Sequence, residues 1–262
     1  MLRAARQLKL LHKWGVGVDN IDTQAAKELG IKVARTTGSN AVPVAEFTIG
    51  LIIATLRFQA LGHERLRQGH WMAFNQTPGE TLCISGKTVG LIGFGAIGQA
   101  VASRLRGFNC TLLYNKRTPL SPAEEAKLGV TYATTDDLLA SSDIVCLHCP
   151  LTPETTNLID TLALSRMKRS AVLINVARGG VVVEADLAQA LRNKTIRGAA
   201  MDVYSIEPLP ADSELLKLNN IVVTPHLAAA TADTFEPTVK RMFDNMVRVT
   251  RGEAVPERDL VV

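Results

Sequence analysis

The ten residues from 89 to 98 constrain the fold more than any other part of the sequence. They form an apolar strand that runs into Gly93-x-Gly95-x-x-Gly98, followed by a helical pattern over residues 100–106. In such a turn the first glycine permits a tight bend, the second lets backbone approach a pyrophosphate, and the third lets helix and strand pack closely. The helix N-terminus adds free N–H groups for phosphates. The pattern predicts a dinucleotide site; the alternative is an ordinary glycine-rich turn.

The end of the next strand, over residues 111–114, bears on which dinucleotide binds. NAD-selective sites usually carry Asp or Glu roughly 20 residues beyond the glycines, where it binds the ribose 2′-hydroxyl. Here Lys116, Arg117 and Thr118 occupy this place, and no acid occurs before Glu124. Cations attract a 2′-phosphate that a carboxylate would repel. The sequence favours NADP(H) over NAD(H), unless the two cations merely solvate the end of a loop.

Length, composition and charge limit the classes of protein that this sequence can be. The 262 residues are enough for two lobes, and 47% hydrophobic with 21% charged residues is typical of a globular protein. The net charge of +4 comes from scattered Lys and Arg, which gives no case for nucleic-acid binding. Residues 47–56 are too few to span a membrane, and residues 1–14 lack a signal-type apolar core. We expect a folded, cytoplasmic protein.

The four cysteines include one pair, Cys146 and Cys149, at a spacing that metal and redox sites use. The pair lies at the end of the apolar run 144–147, and no second ligand pair follows at a suitable distance. We interpret both thiols, and His148 between them, as packing at a strand end. No metal site is expected.

Apolar strands alternate with helical patterns through the middle of the chain. Such alternation predicts a parallel sheet covered on both faces, the doubly wound Rossmann architecture of the α/β class. The predicted strands are 88–92, 111–114, 144–147, 172–176, 198–203 and 221–224, and the predicted helices include 123–128, 136–140, 161–166 and 184–192.

The segments outside this alternation predict a second, smaller lobe. Residues 1–40 hold two short apolar strands around a helix, and residues 227–262 hold a helical pattern over 232–250. We therefore predict a dinucleotide-binding domain over 41–226, with the two ends of the chain packed together beside it. The helical pattern over 44–56 is apolar on more than one face, so it is either buried or in an oligomer contact.

Three polar residues follow three late strands of the predicted sheet. Arg178, Glu207 and His226 come after the strands 172–176, 198–203 and 221–224. Because open parallel sheets bind ligands beyond the carboxyl ends of their strands, we expect the three side chains to converge in one crevice. Each residue also has a purely structural interpretation: Arg178 as the cap of a turn, Glu207 as a surface acid, and His226 as a histidine of the core.

Together the three residues suit the reduction of a 2-keto acid. Hydride attack places negative charge on the carbonyl oxygen, and histidine can supply a proton to it near neutral pH. Glu207 would stabilise and orient the imidazolium of His226. Arg178 can bind the substrate carboxylate with two donors and stabilise the oxyanion. Asp202, at a strand end, has two open roles: it accepts a hydrogen bond from the nicotinamide carboxamide, or it is structural.

The sequence resembles the D-isomer-specific 2-hydroxyacid dehydrogenase family over essentially its whole length. The likeness implies that Arg178, Glu207 and His226 are catalytic. The matching motifs are residues 15–22, 43–46, 93–98, 150–155, 175–180, 202–208 and 225–226, and the cofactor contacts that the likeness implies are Gly95, Ala96, Ile97, Pro150, Val176, Ala177 and Asp202.

The resemblance also implies a substrate, an assembly and a domain arrangement. Residues 116–118 look like the segment of NADP-preferring glyoxylate and hydroxypyruvate reductases, and the family dimerises through its nucleotide-binding lobe. Residues 1–40 and 227–262 would be the two parts of a flavodoxin-like substrate lobe.

The sequence departs from the family pattern in two places. Family members begin with further strand–helix units, so we expect an incomplete substrate lobe; alanines follow His226 where the family commonly has glycine. The alternative to a reductase is therefore a non-enzymatic nucleotide-binding relative that lacks a complete substrate pocket.

Overall fold

The computed structural model describes residues 2–5 and 7–262, and the chain divides into two compact units. One unit comprises residues 44–228, and the other combines residues 1–43 with 229–262. Met1 and Arg6, which belong to the predicted segment 1–40, lie outside the described residues.

The described residues contain nine strands, of which the last seven form one sheet. Each predicted strand of the sheet is present, and the ends differ from the prediction by at most two residues. The strands are β1 Leu10–Lys13, β2 Lys32–Arg35, β3 Thr88–Ile92, β4 Thr111–Asn115, β5 Thr131–Tyr132, β6 Ile144–Leu147, β7 Val172–Asn175, β8 Gly198–Met201 and β9 Ile221–Val223.

Nine α-helices connect and flank these strands in the described part of the chain. Short 3-10 turns, such as Gly179–Val181, occur between them. The helices are α1 Thr23–Glu28, α2 Ala41–Leu56, α3 Gln59–Arg67, α4 Ala96–Leu105, α5 Pro122–Leu128, α6 Thr135–Ser141, α7 Thr161–Arg166, α8 Glu184–Arg192 and α9 Ala232–Thr250.

The seven-stranded sheet of residues 44–228 is parallel throughout, with the order β5-β4-β3-β6-β7-β8-β9. The chain builds outward from β3 in one direction through β5, and then starts again at β6 on the other side of β3. Ligands of such sheets bind beyond the carboxyl ends of the strands at this switch point. The predicted doubly wound parallel sheet is confirmed.

Two apolar clusters cover the two faces of this sheet. Strands β6, β7 and β8 are buried along their whole length, as parallel strands between two helical layers must be. Helix α2 buries Ala45, Ile52 and Leu56 within its own unit. Each fully buried large apolar side chain contributes about 1.5–3 kcal/mol relative to its exposed state.

In the other unit, β1 and β2 form a parallel pair, and α9 is its longest element. Asp259 is fully buried there, where Arg241 and Asn245 donate hydrogen bonds to its carboxylate. Burial alone would raise the pKa of Asp259, but the Arg241 and Asn245 bonds outweigh it and hold that pKa below its usual value.

The structure corrects three local predictions. Helix α4 begins at Ala96 instead of residue 100, because Gly95 already serves as its N-cap. The first apolar strand was predicted over residues 8–11, whereas strand β1 spans Leu10–Lys13. Helix α3 was not predicted; Phe58, with a left-handed φ of 50°, separates it from α2, and its sequence is mostly polar.

Helices α2 and α3 also bear on the predicted absence of a membrane span. Within the described residues, no single helix is both long enough and apolar enough to cross a bilayer. The α2–α3 pair, bent by 67°, meets that test only when the two helices are taken together, by length and composition.

Candidate active site at the carboxyl edge of the sheet

In the glycine turn between β3 and α4, close backbone packing explains why two of the three positions require glycine. A Cβ on Gly93, whose φ is +95°, would lie 2.4 Å from the backbone nitrogen of Cys149. A Cβ on Gly98 would lie 2.4 Å from the carbonyl oxygen of Gly93. By contrast, a Cβ on Gly95 would meet nothing within 4 Å. Packing therefore accounts for Gly93 and Gly98, whereas Gly95 faces open space that a phosphate could enter.

The N-terminus of α4 opens at this same turn. Gly95 is its N-cap and offers no side chain to the first helical N–H groups. Those N–H groups have no acceptor inside the helix, so Ala96 and Ile97 present donors and a positive dipole end to any anion there. Gly95 and Ala96 are exposed and Ile97 is half-buried, so the turn is accessible.

Two cations stand beside the turn, at the end of β4. The backbone nitrogen of Gly93 donates to the carbonyl oxygen of Asn115 at 3.0 Å, so Lys116, Arg117 and Thr118 directly follow the residue bonded to the turn. The next acid, Glu124, accepts hydrogen bonds from Ser121 at the start of α5. Those bonds, with a smaller contribution from Lys116, lower the pKa of Glu124.

The cysteine pair lies at the carboxyl end of β6, next to the glycine turn. Burial raises the pKa of the Cys146 thiol far above neutral and that of Cys149 to about 11. Burial also lowers the pKa of His148 to about 4, and neither ring nitrogen has a hydrogen-bond partner among the described residues. All three side chains are therefore uncharged at neutral pH, as expected for packing residues. Within the described residues no His, Cys, Asp and Glu side chains group as a metal would require.

The loop after β7 carries Arg178 in a fixed turn. Asn175, fully buried at the strand end, accepts from the nitrogen of Ala177 and donates to the carbonyl oxygen of Arg178, both at 3.0 Å. The Arg178 side chain is half-buried, and its Nη1 donates to the carbonyl oxygen of Ala177 at 2.8 Å. Val176 and Ala177 are buried beside it. A Cβ on Gly179 would lie 1.9 Å from the carbonyl carbon of Tyr204, so this loop packs directly against the loop after β8.

The loops after β8 and β9 bring Glu207 and His226 together. Glu207 Oε2 lies 2.7 Å from His226 Nδ1, and Glu207 Oε1 accepts from the backbone nitrogen of Tyr204 at 3.0 Å. The side chains are 36% and 49% exposed, so the pair is open to a ligand. The carboxylate binds the Nδ1 side of the ring, which leaves Nε2 for a reacting group.

Asp202 holds the backbone around His226. Its carboxylate accepts from the Thr224 hydroxyl at 2.6 Å and from the nitrogens of Leu227 and Ala228 at 2.9 Å each. The nitrogen of His226 donates to the Asp202 carbonyl oxygen at 2.8 Å. His226 has a left-handed φ of 54°, which costs a non-glycine residue about 1–2 kcal/mol. These four bonds to one buried residue offset that cost and fix the loop.

The sequence interpretation missed the residues that support this site. Asn175 and Tyr204 were not singled out, and for Asp202 a structural role was one of two open interpretations, beside a contact to the nicotinamide carboxamide. The Tyr204 hydroxyl lies 2.9 Å from the carbonyl oxygen of Met201 and 3.0 Å from that of Thr224, which joins the loops after β8 and β9. A signal existed, because an Asn or Asp that ends a fully buried apolar strand must find hydrogen-bond partners nearby.

Comparisons with known proteins show which family this chain resembles. A sequence model described as "D-isomer specific 2-hydroxyacid dehydrogenase, NAD binding domain" matches residues 49–228. A glyoxylate reductase of Korarchaeum cryptofilum is 38% identical over 257 residues, which are 98% of this chain and 77% of that protein. A D-3-phosphoglycerate dehydrogenase of Mycobacterium leprae is 39% identical over 98% of this chain, which spans only 48% of that longer protein.

A solved structure is similar over the whole chain. The NADPH-dependent glyoxylate/hydroxypyruvate reductase of Sinorhizobium meliloti, in complex with NADP and malonate, superposes with a TM-score of 0.89 at 35% identity. The match covers 100% of this chain and 80% of that one.

Proposed function

The chain belongs to the D-isomer specific 2-hydroxyacid dehydrogenase family, and on that premise we propose that it reduces a small 2-keto acid to the D-2-hydroxy acid with NADPH. We propose glyoxylate and hydroxypyruvate as substrates, because several relatives are named as reductases of these two keto acids. The observation that carries the proposal is the 2.7 Å contact of Glu207 with His226, at an edge of the sheet that also holds Arg178.

The chain's own residues have separate tasks in this reaction. The nicotinamide cofactor, when bound, supplies the hydride. Arg178 binds the substrate carboxylate and stabilises the negative charge that develops on the carbonyl oxygen. His226 donates a proton to that oxygen from Nε2, while Glu207 accepts from Nδ1 and thereby fixes the orientation of the ring. In the oxidative direction the same imidazole accepts the proton.

The residues around the glycine turn fit a dinucleotide. Gly95 leaves open space at the N-terminus of α4, and the N–H groups of Ala96 and Ile97 would bind the pyrophosphate there. Membership of the family implies a nicotinamide cofactor. The choice between NAD(H) and NADP(H) depends on the residues beside the turn. We propose contacts to the rest of the cofactor from Pro150, Val176, Ala177 and Asp202.

The preference for NADP(H) rests on the end of β4. Lys116 and Arg117 stand next to the glycine turn, where they would bind a 2′-phosphate together with the hydroxyl of Thr118. The nearest carboxylate along the chain, that of Glu124, is already bonded to Ser121. NAD(H) remains the alternative cofactor, and it lacks the phosphate that these cations attract.

We also propose that the protein is a homodimer joined through residues 44–228. Helix α2, whose apolar faces suggested an oligomer contact, buries much of its apolar surface within its own unit. The exposed apolar side chains that follow α2 along the chain include Leu66, at 57%, and Trp71, at 81%. Sedimentation velocity of the wild type against Trp71→Ser tests this arrangement, since the variant is expected to shift toward monomer.

Oxidation of NADPH, monitored at its absorbance band, tests the proposed reaction. Wild-type protein is mixed with glyoxylate or hydroxypyruvate and with NADPH or NADH in parallel, and turnover is compared with that of His226→Ala. We expect turnover with both keto acids, NADPH preferred, and a loss of about 10²–10⁴-fold in kcat for the variant with an unchanged Kd for NADPH. NADPH binding without any turnover would instead favour the non-enzymatic alternative.

A further inference from the structure

A cationic cleft lies at the opposite edge of the same sheet. It has a volume of about 410 Å³ and is formed by the segments that precede β7, β8 and β9, together with the end of α8. Its cationic side chains are Arg169, Arg192, Lys194, Arg197 and Lys217. Because all seven strands are parallel, this amino edge is separated from the glycine turn and the His226 loop by the length of the strands.

Local helix chemistry explains only part of this charge. Arg192 lies in the last turn of α8 and Lys194 just beyond it, where cations interact favourably with the helix dipole. Arg192 and Lys217 share one carboxylate partner, Glu214. Neither Arg169 nor Lys194 forms a salt bridge with any of the residues that the structure describes, and both are exposed. The cleft therefore keeps an excess of positive charge.

Arg197 is the most informative of the five cations. Its guanidinium lies over the ring of Phe58, 5.2 Å from the centroid, and its Nε and Nη2 are buried without a hydrogen-bond partner among the described residues. Burial lowers the pKa of Arg197, an effect that the nearby carboxylate of Glu80 opposes. A cationic group that is buried without an acceptor is costly, so the charge of an anion in the cleft beside Arg197 would offset part of that cost.

We propose that this cleft binds the phosphoryl group of a small phosphorylated metabolite. Arginine forks match the oxygen geometry of a phosphate, and Ser170 and Asn219 add neutral hydrogen-bonding groups to the lining. A concave surface lined by charge of one sign also concentrates anions from solution. The volume suits a molecule of a few carbon atoms, because small-molecule pockets typically span about 300–1,000 Å³.

Isothermal titration calorimetry with glycerol 3-phosphate, at constant ionic strength and with saturating NADPH, tests the proposal. Saturating NADPH occupies the glycine turn, so that glycerol 3-phosphate cannot bind there and contribute to the measured heat. We expect one site per chain with a Kd of about 1 mM or lower, and at least a tenfold increase in Kd for Arg169→Ala/Lys194→Ala. Both residues are exposed, so the double variant is expected to keep its fold, which its thermal midpoint checks.

Matched controls separate this site from general charge effects. Arg106→Ala/Lys127→Ala also removes one arginine and one lysine, from exposed positions outside the cleft, and should leave the Kd unchanged. Inorganic phosphate that binds as tightly as the ester would support recognition of the phosphoryl group alone. Citrate that binds tenfold more tightly, equal Kd values in the two double variants, or no heat of binding in the wild type would overturn the proposal.

Discussion

The two edges of the seven-stranded sheet differ in how their functional side chains are held. At the carboxyl edge, each carboxylate oxygen of Glu207 has a hydrogen-bond partner, and Asp202 fixes the backbone around His226. At the amino edge, Arg169 and Lys194 are exposed and form no salt bridge within the described residues. The first edge is preorganised, as catalysis requires. The second is an electrostatic surface that a ligand could order.

Strand β8 connects the two edges and shows the difference within one short segment. Arg197 precedes it and leaves two buried nitrogens without partners among the described residues, while Asp202 follows it with a carboxylate that accepts three hydrogen bonds. Buried polar groups in native proteins are normally satisfied, so the unpaired nitrogens of Arg197 carry an energetic cost. The contrast predicts that changes at the carboxyl edge affect turnover, whereas changes at the amino edge leave turnover unchanged.

After His226→Ala, the largest expected effect is that of Arg178→Ala. Loss of a donor to the developing oxyanion typically lowers kcat by about 10²–10³-fold, and loss of the carboxylate contact should also raise KM for the keto acid. Arg178→Lys, which keeps the charge without the two-donor fork, should recover only part of the loss. Steady-state kinetics with glyoxylate and NADPH give both parameters. Full activity in Arg178→Ala would remove this residue from the mechanism.

Asp202→Asn is expected to have the next largest effect, through the position of His226. The amide nitrogen of asparagine cannot accept the hydrogen bond from Ala228, so the loop should shift. Displacements of about 1 Å in an active site can cost as much as 10²-fold in rate. We expect kcat to fall by about 10–10²-fold, whereas the Kd for NADPH, to which Asp202 is also a proposed contact, should rise by a smaller factor.

A double-mutant cycle distinguishes positioning from a general loss of stability. If Asp202 acts through His226, Asp202→Asn should cost much less in kcat when His226 is already alanine. Equal losses in the two backgrounds would show that Asp202 acts independently of the imidazole. Thr224→Val, which removes only the hydroxyl bond at 2.6 Å, should give a smaller loss of kcat than Asp202→Asn.

The carboxyl edge also contains the proposed phosphate contacts, and their expected effect is smaller. Lys116→Ala/Arg117→Ala removes two solvent-accessible charged contacts, each worth about 0.5–1 kcal/mol, so KM for NADPH should rise by about 5–30-fold. KM for NADH should stay within about twofold, since NADH has no 2′-phosphate. Arg106→Ala/Lys127→Ala is the matched control. Parallel changes for both cofactors would contradict the proposed preference.

The carboxyl edge is also where the sequence allowed the most specific prediction of which side chains lie together. Arg178, Glu207 and His226 were predicted to share a crevice because each follows a strand, and the structure brings Glu207 and His226 into contact. The rule works because parallel strands have their carboxyl ends at one edge. Asn175 and Tyr204 escaped notice because their value depends on which loops are neighbours, and strand order is a property of the whole sheet.

The amino edge shows the limit of the same reasoning. Lys and Arg are scattered along the sequence, which gave no indication of an anion site there. Arg169, Lys194 and Lys217 belong to different segments, and only the pairing of β7, β8 and β9 places them around one cleft. Helix α3 was missed for a related reason, because tertiary packing can stabilise a short helix whose own pattern is polar.

The smallest expected effect is that of Asn220→Ala at the amino edge. The Asn220 amide donates to the carbonyl oxygens of Leu191 and Arg197, at 3.1 and 3.2 Å, and so ties the end of α8 to the segment before β8. Two lost bonds of this kind should lower the free energy of unfolding by about 1–2 kcal/mol, measured by urea denaturation.

Asn219, the exposed neighbour of Asn220, provides the control variant. Asn219→Ala should change the free energy of unfolding by less than about 0.5 kcal/mol. Since no described bond of Asn220 reaches the carboxyl edge, kcat should remain within about twofold of wild type in both variants. A large loss of kcat in Asn220→Ala, with the fold intact, would show that the two edges are coupled through β8. In that case a phosphorylated ligand in the cleft would be expected to change turnover as well.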